Sequence, residues 1–185
     1  QLHKWSHDAL TRDLVLAVNV SAKQFHQTDF IEQVQKILAD TRINTTRLKL
    51  ELTESAVLGN IDDTISKMEQ LRGMGIHFSR DDFGTGYSSL QYLKRLPFDQ
   101  VKIDRSFIRD LATDANDAAI VQAVIAMTQA LNIEVIAEGV ETAAQRDFLM
   151  AKGCHLFQGY LFSKPVPIAQ FDKSLQETLQ QRLFH

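Results

Sequence analysis

Residues 79–90 read Ser-Arg-Asp-Asp-Phe-Gly-Thr-Gly-Tyr-Ser-Ser-Leu, directly after the apolar run Ile76-His77-Phe78. That run has the composition of a short strand, and two adjacent carboxylates, Asp81 and Asp82, stand where the strand should end. Gly84 and Gly86 follow, so the backbone beyond the pair has conformations open to it that other residues avoid. Paired carboxylates at a strand end, beside a glycine loop, suit a hard cation next to a substrate loop. For the dipeptide alone a solvated acidic turn is the simpler reading. The ends of the other strands decide between the two.

Leu48-Lys49-Leu50-Glu51-Leu52-Thr53 alternates strictly, with leucines on one face and Lys49, Glu51 and Thr53 on the other. Leu14 to Val20 is a branched apolar run and reads as a buried strand. Val101 to Asp104 and Glu134 to Glu138 read as further strands. Leu156 to Leu161 reads as a sixth, broken by Gly159. Helical spacing fills the intervals: Phe30 to Leu38 after an Asp29 N-cap, Ile61 to Met74, Ser88 to Leu96 ended by Pro97, and Ala115 to Leu131. A helical turn is expected at Ser106 to Leu111, and helices at Thr142 to Lys152 and Ile168 to Leu183.

Strand and helix in regular alternation predict a parallel α/β protein. Asn19, Glu51, Asp81, Lys102 and Glu138 each fall at or near the C-terminal end of a different strand. In a closed barrel those positions converge on one mouth. An open sheet would spread them along an edge, and would carry a glycine-rich phosphate turn after its first strand, where this chain has none. The expected fold is therefore a TIM-like (β/α) barrel, incomplete in this chain, with about six of the eight strands. Charges on parallel strands are costly unless paired or bound to an ion. The plainer alternative to an ion site is ion pairing, for example of Lys102 with one of the carboxylates.

At 185 residues the chain is long enough for one domain with a substantial core. A net charge of −3 argues against a duplex nucleic-acid partner. The single cysteine, Cys154, excludes an intrachain disulfide and a cysteine-clustered zinc site, and reads as a small buried hydrophobe in a reducing compartment. No apolar run approaches the ~18 residues of a membrane span, and no signal peptide opens the chain. A cytoplasmic location is expected, with any membrane anchor on other domains. The chain opens on Gln1, on what reads as a helix end at Leu2 to Trp5, and is taken as a fragment.

Asn19-Val20-Ser21, Glu51-Leu52-Thr53-Glu54, Asp81 to Gly86, Lys102-Ile103-Asp104, Ala137 to Thr142 and Gln158-Gly159-Tyr160 together resemble, in order and spacing, the motifs of EAL-domain phosphodiesterases. These enzymes hydrolyse the bacterial second messenger cyclic di-GMP. The likeness runs from about Leu2 to Pro167 and implies that residues 1–185 are the C-terminal three-quarters of an EAL domain, without the Glu-Ala-Leu motif itself.

The resemblance implies Asn19, Glu51 and Asp81 as ligands of one divalent metal. Asp81 would bridge to a second metal held by Asp82 and Glu138. It implies Lys102, with Glu138, as catalytic, Lys102 orienting or deprotonating the attacking water. Glu54 would fix the loop from Asp82 to Ser89, and Asp104, Glu141 and Gln158 would position substrate or water. Oxygen donors of this kind suit Mg2+ or Mn2+ in a two-metal site. The implied partners are cyclic di-GMP, a second copy in a homodimer or other self-association, and an upstream sensor or diguanylate cyclase-like (GGDEF) domain. A six-strand arc leaves two open edges, so the chain alone is expected to self-associate or exchange strands and to have little activity. A catalytically silent cyclic di-GMP receptor and a protein-interaction module on the same scaffold are the alternatives.

Two residues stand out against the likeness. Arg80 lies where the family carries an aliphatic residue, and by parity points with Ile76 and Phe78 towards the helix layer, to snorkel or to pair with an acid. His77 falls by parity on the lumen side, as a polar neighbour of the site or, more simply for a lone histidine, as an ordinary hydrogen-bonded side chain.

Overall fold

The alternating run at residue 48 folds as strand β2 (Leu48–Leu52), between β1 (Leu16–Val20) and β3 (His77–Phe83), in a computed structural model that describes residues 1–57, 60–84, 90–111 and 113–183. β4 (Gln100–Ile103), β5 (Glu134–Glu138) and β6 (Leu156–Gln158) extend the sheet in sequence order, every neighbour parallel. Parallel neighbours need long crossovers. Helices α1 (Leu2–Trp5), α2 (Ala22–Phe25), α3 (Phe30–Thr41), α4 (Glu54–Val57), α5 (Ile61–Gly73), α6 (Leu90–Arg95), α7 (Arg105–Arg109), α8 (Ala115–Ala130), α9 (Ala143–Ala151) and α10 (Ile168–Leu183) supply them and flank them. The sheet curls into a half-barrel, as the strand-end residues required.

Alternation along the strands sorts the side chains by face. Leu50, Leu52, Phe78, Val101, Ile103, Val135 and Ala137 are buried in a single core with Met68 and Leu71 of α5, Val121 and Ile125 of α8 and Leu149 of α9. Each large aliphatic or aromatic group so buried contributes roughly 1.5–3 kcal/mol. The opposite face of the same strands carries Glu51, Ser79 and Lys102, so the charged row is turned away from the helices.

Three of the strand ends that differ from the sequence expectation shape the site. β3 does not stop at Ser79 but runs on to Phe83, so the acidic pair lies inside a strand. Arg80 pairs with Val101 and Phe83 with Ile103, three steps on β3 against two on β4. That extra residue is a β-bulge, a device that re-aims side chains. β4 ends at Ile103, and Asp104 is instead the N-cap of α7, accepting a hydrogen bond from the Ser106 N–H. β6 ends at Gln158 because the chain folds back against the β5–α9 connection. The Leu161 N–H donates to the Val140 carbonyl at 3.0 Å, and a Cβ on Gly159 would lie 2.2 Å from that oxygen. The short α2 and α4 carry too few residues to show a period. Among the described residues no helix is long and apolar enough to cross a membrane.

α1 is tied to α10 through Trp5, the sole tryptophan. Its Nε1–H donates to Asp172 Oδ1 at 2.9 Å, and Lys4 Nζ lies 2.8 Å from Oδ2. Hydrogen bonds from Lys4 and Trp5 hold the Asp172 carboxyl below the ordinary range. A depressed carboxylate stabilises the fold above its unfolded pKa of about 3.9, and the contribution disappears as pH falls through the lower folded value. Tryptophan emission is therefore expected to stay constant from pH 7 to about 5 and to shift to the red only below about pH 4. Asp172→Asn should remove that transition. A midpoint above the ordinary aspartate value would contradict the contact.

Candidate metal centre

Lys102 is 5% exposed at the mouth of the half-barrel. Its Nζ lies 2.7 Å from Glu138 Oε1, 2.9 Å from Asp81 Oδ1 and 3.0 Å from Glu51 Oε2. Four consecutive strands thus bring four charged groups to one point: β2, β3 and β5 each supply a carboxylate and β4 the ammonium. Of the five strand-end residues expected to converge these four do, and the plainer ion pairing is present as well, since the lysine sits among the acids as an organic cation.

Asp81, Asp82 and Glu138 each offer an oxygen, and the three oxygens lie within 4.8 Å of one another. Donors on opposite sides of one cation stand about 4.2–5 Å apart, twice a bond of roughly 2.1–2.5 Å. The set therefore fits a single hard ion. Its all-oxygen chemistry suits a Mg2+, Mn2+ or Ca2+ class of ion rather than a thiophilic one.

The bulge makes this donor set possible. Asp82 adopts φ +51°, a left-handed conformation that aspartate tolerates better than most residues. Gly84, at φ +105°, follows immediately, and a Cβ there would lie 2.8 Å from the Phe107 ring. Any side chain at Gly84 would thus displace the first turn of α7 or the loop.

The electrostatics follow from crowding. Burial pushes the Glu138 carboxyl up, the Lys102 ammonium pulls it down, and Asp81 and Glu51 push it up again, for a net rise. Partial desolvation, then Asp81 and Asp104, raise Asp82. Burial opposes the charge on Lys102, but hydrogen bonds to Glu138 and Asp81 and the charges of Glu138 and Glu51 outweigh it, and its proton is held more tightly than an ordinary lysine's. Burial also works against Asp104, yet its carboxyl ends below the usual range because the Ser106 hydroxyl and N–H and a hydrogen bond with Asp82 favour the anion.

The remaining expected residues take different places. Asn19 is in register with Glu51 on β1, the outermost strand, and is solvent-exposed. Gln158 is in register with Glu138. Glu141 lies outside the acidic cluster, in a polar cleft of about 750 Å³ that it shares with Asp104, Arg105, Ser106 and Arg109. Glu54 meets Arg80, with Oε2 3.1 Å from the guanidinium. Of the loop expected to depend on Glu54, residues 85–89 lie outside the described residues. His77 is not a neighbour of the site. It opens β3, roughly 13 Å of strand before Asp81, and its Nδ1 lies 3.5 Å from Asp99.

Three supporting residues escaped the sequence reading. Ser106 holds Asp104, and Phe107 packs against Gly84. Gln145 completes a capping box with Thr142 and donates to the Ile108 carbonyl at 3.0 Å, tying α9 to α7. The D-x-S pattern of Asp104 and Ser106 and the T-x-x-Q pattern of Thr142 and Gln145 are cap signatures legible in the sequence. The Phe107 contact has no local signature.

Comparison with known proteins adds to this geometry. The family model described as EAL domain matches residues 1–165. Cyclic di-GMP phosphodiesterase NbdA of Pseudomonas aeruginosa is 46% identical over 175 residues, which is 95% of this chain and 22% of that protein. The chain spans about a quarter or less of the length of such curated relatives. Among solved structures, the PaMucR phosphodiesterase in complex with c-di-GMP superposes with a TM-score of 0.86 at 45% identity, over 91% of this chain and 68% of that one. Klebsiella pneumoniae BlrP1, solved with cyclic di-GMP and either manganese or calcium, superposes with a TM-score of 0.74 at 34% identity, over 82% of this chain and 39% of its own.

Proposed function

The chain belongs to the EAL domain family, and from that premise we propose that the intact protein hydrolyses cyclic di-GMP to linear pGpG with the help of divalent cations. The observation that carries this reading is the meeting of Glu51, Asp81, Asp82, Lys102 and Glu138 at one point of the barrel mouth. A receptor without catalysis would not need so many mutually repelling carboxylates held together.

In the proposed roles, Asn19, Glu51 and Asp81 hold one cation, and Asp81, Asp82 and Glu138 a second, Mg2+ or Mn2+. Cations bound there would neutralise the phosphodiester and polarise a water nucleophile. Lys102 is proposed to orient that water, because its ammonium lies within 3.0 Å of three of the carboxylates that would hold the cations. Glu138 shares the catalytic position as the partner nearest to Nζ. Asp104 steadies Asp82, Glu54 braces the end of β3, and Glu141 and Gln158 line the approach for the dinucleotide. Residues 1–185 are proposed as the C-terminal three-quarters of the domain, since six of the eight strands expected of a TIM-like barrel are in place. Exposed Val18 at one sheet edge and Leu156 at the other support self-association, as a homodimer or by strand exchange. An upstream sensor or GGDEF domain, and a cytoplasmic location for this one, complete the proposal.

The test is incubation of the full-length protein with cyclic di-GMP and Mn2+, with the products separated by chromatography, alongside calorimetry of nucleotide binding. Metal-dependent appearance of pGpG is expected. Nucleotide binding without turnover would favour the receptor, and no binding at all would leave only the interaction module.

A further inference from the structure

Arg80 is 1% exposed, the largest fully buried side chain of the described residues, and it stands immediately before the acidic pair. We propose that Arg80 is a positioning residue for the metal centre: stacked on Phe83 and paired with Glu54, it braces the bulge that turns Asp81 and Asp82 towards one cation. The proposal rests on the reading of those two carboxylates as cation ligands.

The geometry of the strand carries it. Arg80 is in register with Leu52 on β2 and Val101 on β4, and on the β4 side pairing resumes only at Phe83. In a regular strand, residues three apart face opposite sides of the sheet. The extra residue of the bulge brings Arg80 and Phe83 onto the same side, where the guanidinium carbon lies 4.9 Å from the ring centroid. This contact exists only while the bulge exists. A slip to regular pairing would turn Phe83, now 6% exposed, towards the charged mouth and break the stack.

Glu54 closes the arrangement from a third side. It is the first residue of α4, two residues beyond the end of β2, and its Oε2 lies 3.1 Å from the Arg80 guanidinium. A planar cation serves two partners at once here, one through its face and one through its edge, which an ammonium cannot do. The left-handed Asp82 backbone thus lies between two residues locked together on the far side of the sheet.

The test compares the intact protein with its Arg80→Leu, Arg80→Lys and Phe83→Leu variants. Calorimetric Mn2+ affinity, thermal unfolding and amide hydrogen exchange at residues 81–84 are measured on each. Arg80→Leu should weaken Mn2+ binding by about 10–100-fold, the usual effect of losing an outer-shell partner, and should speed exchange at residues 81–84 but not in β5. Arg80→Lys should recover part of the affinity, and Phe83→Leu should move it in the same direction as Arg80→Leu. A folded Arg80→Leu protein with unchanged affinity and unchanged exchange would overturn the proposal. If Arg80→Leu does not fold, Phe83→Leu, which leaves the charge pair intact, decides by the same two readings. A wild-type protein that takes up no Mn2+, or one whose uptake survives Asp81→Asn, would sink the metal reading instead. Exchange at residues 81–84 in the metal-free variants would still judge the brace.

Discussion

Lys102→Met is expected to leave the metal-free protein about 3–5 kcal/mol less stable, the usual cost of stripping one partner from a buried ionic cluster. The ammonium lies within 3.0 Å of Glu51, Asp81 and Glu138, and methionine fills the same space without charge. The three largely buried carboxylates would then face one another. At an effective dielectric of 20, two unit charges 4 Å apart interact with about 4 kcal/mol, so part of the penalty will be shed by protonating the most crowded acid. Glu138, already raised, is the first candidate. A carboxyl with a raised folded pKa contributes stability below its unfolded value and loses it as pH rises through the folded value. The variant should therefore regain stability on mild acidification.

The second consequence is metal dependence. A cation can take over the role of the missing ammonium, and binding at 100 times Kd contributes about 2.7 kcal/mol. Millimolar Mn2+ should recover much of the lost denaturation midpoint, while chelator should abolish the recovery. Turnover should not recover with it, and should stay about 10²–10⁴-fold low if Lys102 handles the water. Urea unfolding with chelator and with Mn2+, set beside pGpG production, checks all three points. A variant as stable as wild type in chelator would mean that the ionic cluster does not form.

Asp81→Asn should show the converse pattern. The side chain keeps its shape and one of three anions around Lys102 disappears, while Glu51 and Glu138 still neutralise the ammonium. Metal-free stability should change by no more than about 1 kcal/mol, since no charge is left unpaired. Cation uptake, however, loses the carboxylate proposed to serve both ions. A metal ion supplies several kcal/mol of transition-state stabilisation, and at about 1.4 kcal/mol per decade its loss lowers turnover on the order of 10³-fold. Mn2+ titration and steady-state hydrolysis by Asp81→Asn measure the two quantities. Retained turnover would refute the assignment of Asp81 as ligand.

A large loss of metal-free stability at one position against little change at the other, with turnover lost at both, separates the two. A residue that merely packs would lower both properties together, and Mn2+ would not restore its stability. The contrast arises because Lys102 is the counter-charge of the metal-free site and Asp81 is one of the charges it counters.

Much of this arrangement was readable along the chain. The Leu48 to Thr53 alternation predicted both the strand and the face that Glu51 occupies, and the parallel sheet in sequence order followed from strand–helix alternation. Of the five residues that strand-end placement picks out, Glu51, Asp81, Lys102 and Glu138 are neighbours, while Asn19 is exposed on an edge strand. Arg80 was correctly sent to the helix layer, where it pairs with an acid. Where the reading ended β3 at Ser79, it treated the charge of Asp81 and Asp82 as a strand terminator. The two carboxylates are tolerated within the strand because Lys102 faces one of them and the bulge re-aims the other. Parity gives the face of His77 but not its height along the barrel, and of its two readings the ordinary polar side chain holds, beside Asp99.

Local pattern along the chain sufficed for the elements, their order and the facing of their side chains, because periods of 2 and 3.6 follow from local backbone sterics. It took the folded sheet to reveal that a bulge lets consecutive aspartates serve one point and that Arg80 clasps Phe83 behind them. Those facts depend on register between strands tens of residues apart, which is set by the packing of the whole sheet and leaves no trace in a local pattern.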